Sequence, residues 1–345
     1  MKIALYPSHP SQLWMLKPVA DDLAQDNEII WFMRDKDVML ELADAMGIEY
    51  TRLSVASSGL IGNGMEMAAN LVRCIGHTLS EEIDVWVTKY GAGNCAARLC
   101  SRKTLSFNDD DADIVPLIAA TSYKAAHAVL VPSVTRMGRY ERKARRYNGS
   151  HELFYLHPNR FKPDRSVYEL LGIPLSQRFA IVRLSALKAH HDIGIRGISA
   201  QIVKELIETC GNEIRVFISS EAPVAAEFEA YRLPIPARRI LDALYYAEFL
   251  VADSQTMSAE AATIGTTSFR ISDFVGKLSS LDELERYGLS FGFRPDDYKL
   301  AIKEIAAAVR DSDFKAGCRK NLVAFLDNKI DPVPWFAEQI RSIAR

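Results

Sequence analysis

Residues 3–33 read IALYPSHPSQLWMLKPVADDLAQDNEIIWFM, and their alternation decides the fold. IALY, residues 3–6, is a short apolar run closed by turn residues, the signature of a strand buried on both faces. Residues 12–25 place Leu13, Leu16, Val19, Ala20 and Leu23 on one helical stripe. EIIWFM, residues 28–33, is the next buried strand. Strand, helix, strand at this spacing predicts a parallel pair joined by a crossover helix.

The alternation continues outward. A helix over 35–46 ends at Gly47, a strand follows over 48–53, a helix over 64–80, and the strand IDVWVT over 83–88. Lys103–Asn108 and Ala128–Pro132 read as further strands. The pattern then breaks between 133 and 175, where Pro and Gly punctuation marks a connector. It resumes with strands at 179–186, 214–218, 250–252 and 267–271, separated by helices. The fold class is α/β: two Rossmann-like parallel-sheet domains, over 1–165 and 166–329, facing each other across a cleft. A closing helix over 330–345 is expected to pack back on the first domain.

Composition bounds the partners. The chain has 345 residues, 48% hydrophobic and 25% charged, enough to fill two cores without disulfide or metal staples. A formal net charge of -2 gives no general attraction to nucleic acid or to an anionic membrane. One basic run, Arg136 to Arg146, is either a solvated face or a contact for an anionic substrate or membrane surface. The five cysteines form no C-x-x-C pair, so neither a disulfide framework nor a zinc site is expected. A reducing cytoplasm fits, as does an apolar N-terminus too short for a signal peptide. No apolar run is long enough to span a membrane.

Ligands of open parallel sheets bind beyond the carboxyl ends of the strands, so the loops there carry the candidate residues. His9 follows the first strand between two prolines and suits a general base or phosphate donor. Gly91 and Gly93, in KYGAGNCAAR, let backbone approach a ligand, and Asn94 suits a helix cap. This is not the dinucleotide fingerprint, and NAD is not expected. In FNDDDAD, residues 107–113, Asp109 lies nearest the strand end beside Asn108. These acids are solvated caps or partners of a cation or hydroxyl-rich ligand.

RLSALKAHHDIGIRG, residues 183–197, is the densest polar stretch. Arg183 within an apolar strand calls for an anion, either a carboxylate or a phosphate. Lys188 and His190 follow and suit phosphate contact, His190 also base chemistry. In VADSQTMSAEAATIGTT, residues 251–267, Ser254, Gln255 and Thr256 precede a helix that carries Glu260. Free N–H groups, a positive dipole end and hydroxyls together suit a pyrophosphate, and Glu260 suits a ribose diol. Ordinary N-capping by Asp253 or Ser254 accounts for only part of this cluster.

FND at 107–109, YLHPNRFKPD at 155–164, RLSALKAHHDIG at 183–194, DSQTMSAEAATIG at 253–265 and FVGK at 274–277 resemble the recurring patterns of an uncharacterised family of predicted glycosyltransferases. The wider resemblance is to UDP-N-acetylglucosamine 2-epimerases and MurG-like transferases of the GT-B fold. It implies that Ser254, Gln255 and Thr256 hold a diphosphate and Glu260 a ribose, although Gln255 and Thr256 stand where the epimerases have two glycines. It further implies a glycosyltransferase using a nucleoside-diphosphate sugar, a UDP-sugar first, for surface polysaccharide or another glycan. His9 or Asp109 would act as base, Arg183, Lys188 and the 254–260 segment would stabilise the leaving group, and no metal or other cofactor would be required. A glycan or lipid-linked acceptor fits, with the basic run beside a membrane. A 2-epimerase and a non-catalytic nucleotide-sugar-binding module remain the alternatives.

Overall fold

The computed structural model describes residues 1–36, 38–57, 59–185, 196–220 and 222–344. These divide into two units, one of 1–157 with 330–345 and one of 158–329.

The first unit opens with β1 (Lys2–Tyr6), α1 (Pro10–Leu23), β2 (Glu28–Asp35), α2 (Met39–Ala45), β3 (Thr51–Val55) and α3 (Gly59–Ser80). It continues with β4 (Val85–Thr88), α4 (Gly91–Leu99), β5 (Lys103–Phe107), the single turn α5 (Pro116–Ile118), β6 (Ala128–Pro132), β7 (Ala144–Tyr147) and α6 (Leu153–Leu156). Its sheet runs β3-β2-β1-β4-β5-β6-β7, with every neighbouring pair parallel. Strand order therefore reverses direction between β1 and β4, which makes the loops after these strands the switch point. Trp86 anchors the core on one side, stacked on Phe32 with centroids 5.0 Å apart and its indole N–H bonded to Thr78.

The second unit contains α7 (Val167–Leu171), β8 (Phe179–Leu184), α8 (Ala200–Cys210), β9 (Arg215–Ser220), α9 (Ile240–Tyr246), β10 (Phe249–Ala252) and α10 (Gln255–Thr263). Then come β11 (Thr267–Ile271), α11 (Ser279–Arg286), β12 (Ser290–Phe293), α12 (Tyr298–Arg310) and α13 (Phe314–Leu326). The sheet order is β12-β11-β10-β8-β9, again all parallel. Here the switch point lies between β8 and β10. Phe249, Phe269, Val251 and Ile271 fill its core with Val203 and Leu206 of α8 and Ile305 of α12.

The division between units falls after His157. Phe161 packs on Tyr245, and Tyr168 packs on Phe179 and Tyr246, so aromatic burial draws this connector into the second unit. The closing helix α14 (Pro332–Ala344) belongs to the first unit, where Phe336 meets Phe107 and Phe154 edge-on.

Arg136, Arg139 and Arg142 of the basic run are exposed, whereas the rest is tied down locally. Lys143 donates to the carbonyls of Tyr123, Lys124 and Ala126, at 2.7–2.9 Å. Arg146 binds the Glu141 carboxylate and three carbonyls, and Arg145 reaches Gln339 of α14. These charges close the ends of local elements. β7 lies within this run, paired in register with β6. Among the described residues, no helix is long and apolar enough to cross a membrane.

Candidate functional site

The carboxyl edge of the first sheet gathers titratable side chains. Lys89 follows β4 at the switch point, and its side chain is 13% exposed. Its ammonium donates to Asp110 at 2.9 Å and stands 4.0 Å from Asp109. Burial opposes this charge, but the two aspartates outweigh it and hold Lys89 protonated beyond the usual lysine range. His151 Nδ1 lies 4.0 Å from Asp109 on the other side, and its Nε2 is 3.4 Å from the Ser11 carbonyl. Asp109 thus sits between a cation and an imidazole.

Glu152, next to His151, is 5% exposed. Burial pushes its carboxyl up to about 7, opposed by His151 and reinforced by Asp109. Asn108 shapes the loop: its Oδ1 accepts the N–H groups of Asp109 and Asp110, and its amide donates to the Tyr123 hydroxyl. Asp111 is fully buried and takes the Arg136 guanidinium at 2.7 Å. The aspartate run therefore divides its work between the edge and the interior.

His9 is the N-cap of α1, with Nδ1 accepting the Ser11 N–H at 3.2 Å. Gly91 lies at the same edge, but its lack of a side chain serves packing: a Cβ there would stand 2.6 Å from Thr121 Oγ1. Asn94 does not cap α4. It is buried and bonds the Thr88 carbonyl and Ser122. Lys89, His151 and Glu152 escaped the sequence reading. Lys89 could have been found from its place immediately after a buried strand, whereas residues 151 and 152 reach the edge only through tertiary packing.

The carboxyl edge of the second sheet is built around arginine and a helix terminus. Arg183 is half-buried near the end of β8 and donates to Ser219 Oγ of β9, its register partner, at 2.8 Å. On the other side Arg183 is in register with Ala252, the last residue of β10. The N-terminus of α10 therefore starts beside Arg183. Ser254 caps it, accepting the Met257 N–H at 3.4 Å.

Asp253, 4% exposed, accepts the N–H groups of Ser185 at 2.7 Å and Ile198 at 3.3 Å. Burial raises its proton affinity, and these N–H bonds oppose that rise. Gly197 is required by this approach, since a Cβ would stand 2.4 Å from the Asp253 carboxylate. The Gln255 side chain is turned to structural work. Its amide donates to the Asp253 carbonyl and to Ser272, and its oxygen accepts from the buried Arg270. Thr256 is exposed on the first turn, and Glu260 is 9% exposed further along α10. Lys188 and His190 lie outside the described residues.

Arg183, Ser254, Gln255 and Thr256 thus lie at one edge, with Glu260 buried further along α10, and His9, Gly91 and Asp109 lie at the other sheet's edge. Two parallel-sheet units of this kind define the GT-B fold, and similar solved structures carry it. No family model matches the chain, and no curated protein matches it in sequence. The chain is similar to MnaA of S. aureus in complex with UDP, at 11% identity and a TM-score of 0.65, over 92% of this chain and 90% of that one. It is similar to the UDP-GlcNAc 2-epimerase of Methanocaldococcus jannaschii, at 12% identity and a TM-score of 0.64, over 95% and 99%. MurG of Acinetobacter baumannii is 10% identical with a TM-score of 0.62, over 99% of both chains.

Proposed function

We propose that this chain is a glycosyltransferase-like enzyme that uses a nucleoside-diphosphate sugar, with the diphosphate held by the second unit. The observation that carries this reading is the register of Arg183 with Ala252 at the β8/β10 switch point. It starts α10 beyond the strand next to Arg183, whose guanidinium donates to Ser219 on the β9 side, and a guanidinium and a helix N-terminus each favour an anion. The S. aureus MnaA structure, similar in fold, holds UDP, which makes a UDP-sugar the first candidate.

In the transfer step an acceptor hydroxyl oxygen forms a bond to the sugar C1 as the C1–O bond to the diphosphate breaks. The hydroxyl proton passes to a base, for which Asp109 is the candidate, and the diphosphate leaves with both electrons of the broken bond. Arg183 and the helix N-terminus stabilise the charge that develops on it. The Lys89 ammonium stands 4.0 Å from the Asp109 carboxylate.

One observation favours a second reading. Asp109 lies 4.0 Å from His151, and the neighbouring Glu152 has its carboxyl pushed up to about 7 by burial. A base and an acid together suit a 2-epimerase, which removes and returns a proton at the sugar.

Calorimetric titration with UDP-, GDP-, CDP- and dTDP-sugars tests both readings, and the absence of any binding overturns them. With the best ligand in deuterated water, label entering the sugar at C2 without acceptor selects the epimerase. Nucleotide release that depends on an acceptor selects the transferase. Binding without turnover reduces the chain to a binding module.

A further inference from the structure

Arg270 of β11 is fully buried, and a guanidinium removed from water needs compensation. Nη1 donates to Gln255 Oε1 at 2.6 Å, and Nη2 donates to Glu285 Oε1 at 2.8 Å. Nε has no hydrogen-bond partner among the described residues. The counter-charge is incomplete as well: Glu285 is 29% exposed, so water screens it, and Asp282 adds only a weaker attraction. Gly292 makes room for this arrangement, because a Cβ there would stand 2.4 Å from Glu285 Oε1.

For packing alone, an apolar side chain of similar volume would serve at least as well. The guanidinium is instead tied to Gln255, the first residue of α10. The same amide binds the Asp253 carbonyl and Ser272, so it fixes the approach from β10 into the helix. A buried positive charge and the positive end of a helix dipole therefore stand together.

We infer that Arg270 is a positioning residue of an anion site at the α10 N-terminus, which takes the diphosphate of a nucleoside diphosphate. It acts through Gln255 and through its charge, without touching the ligand. This inference rests on the proposed nucleotide-sugar reading of the second unit. Glu285 then moderates the site, because part of the arginine charge is spent on it.

The test turns on the sign of one effect. Glu285→Gln keeps an oxygen acceptor for Nη2 and removes the negative charge. UDP, titrated calorimetrically at low salt, is expected to bind about threefold to tenfold more tightly to this variant. The gain should shrink for UMP, vanish for uridine and fade as salt is raised. A purely structural Arg270–Glu285 pair predicts unchanged or weaker UDP binding, and that result overturns the inference. Arg270→Lys and Arg270→Met, compared at matched melting temperature, give an independent check. The lysine variant should hold UDP within about threefold of wild type, and the methionine variant should lose about tenfold. Equal affinities for the two also overturn the inference. If wild type binds no nucleoside diphosphate at all, the nucleotide-sugar reading itself falls, and Arg270 falls with it. If wild type binds UDP and Glu285→Gln does not tighten it, only the role of Arg270 is lost.

Discussion

The carboxyl edge of the first sheet holds Lys89, Asp109, Asp110, His151 and Glu152, whereas that of the second holds Arg183, Arg270 and the N-terminus of α10. Within the first set the Glu152 carboxyl is pushed up to about 7 by burial, whereas the neighbouring aspartates hold Lys89 protonated. The second set is built from guanidinium groups and a helix N-terminus, which favour anions. One parallel-sheet architecture thus presents two kinds of chemistry, and the difference lies in a few loop residues.

The buried arginines make the contrast finer. In the first unit Glu66, 3% exposed on its side chain, accepts from Arg34 Nε and Nη2 at 2.6 and 2.7 Å. It also accepts from Ser54 Oγ and the Ser57 N–H, both at 2.8 Å. That carboxylate is saturated, and its pair with Arg34 ties β2 and β3 to α3. In the second unit Arg270 faces a partly exposed carboxylate and retains an unbonded Nε. A saturated pair is architecture, while an unsaturated one leaves charge available to a ligand.

Four changes would break or sharpen this comparison. The largest effect is expected at Glu66. Glu66→Ala leaves the half-buried Arg34 guanidinium without its carboxylate and should cost about 3–5 kcal/mol in urea denaturation. A loss below about 1 kcal/mol would show that water reaches the pair.

Asp109→Asn removes the proton acceptor from the first edge. Turnover with the donor found by titration should fall roughly 10²–10⁴-fold, while affinity for the nucleotide stays within error. Equal loss of both would place Asp109 in binding and end its role as base.

Glu152 should make the stability of the first unit depend on pH. Its folded carboxyl sits at about 7, above the unfolded value, so the folded state binds more protons between the two. The contribution is therefore fully present below the unfolded value and is lost as pH rises through about 7. Denaturation from pH 4 to 8 should show a decline of up to about 3 kcal/mol. Glu152→Gln should flatten that slope, and a slope unchanged in the variant would assign it to another group.

The smallest effect is expected at the second edge. Ser254→Ala removes the N-cap of α10 and should lower stability by about 1 kcal/mol in a thermal melt. Its effect on UDP affinity reports whether the hydroxyl serves the ligand as well as the helix.

Much of the architecture was legible before folding. Apolar runs at 3–6 and 128–132 mark β1 and β6, because strands buried on both faces must be continuously hydrophobic. Gly47 was legible as a helix end, and its φ of +65° bears this out. β7 was hidden, because ARRY at 144–147 reads as a charged face. Its identity as a strand comes from pairing with β6, and its charges are used locally. β12, SFGF at 290–293, was too short to carry a period.

Site residues followed the same division. The places of Arg183, Asp109 and the segment from Ser254 to Glu260 relative to the strands were legible, because polar groups stand out against buried apolar strands. What Gln255 and Gly91 do was not legible. Sequence adjacency suggested a diphosphate for Gln255 and a close-approaching ligand for Gly91, but Arg270 and Thr121 occupy them from distant parts of the chain. By itself the sequence determined the α/β class, the repeated strand–helix order and the strand ends where chemistry gathers, since these follow from local hydrophobic period and turn residues. Only the tertiary structure decided which charges meet: Lys89 with Asp110, Asp111 with Arg136, Arg34 with Glu66, and Arg270 with Gln255 and Glu285. The physical reason is that a charge is committed by what lies within a few ångströms in space, and strand order, which local pattern does not encode, sets those distances.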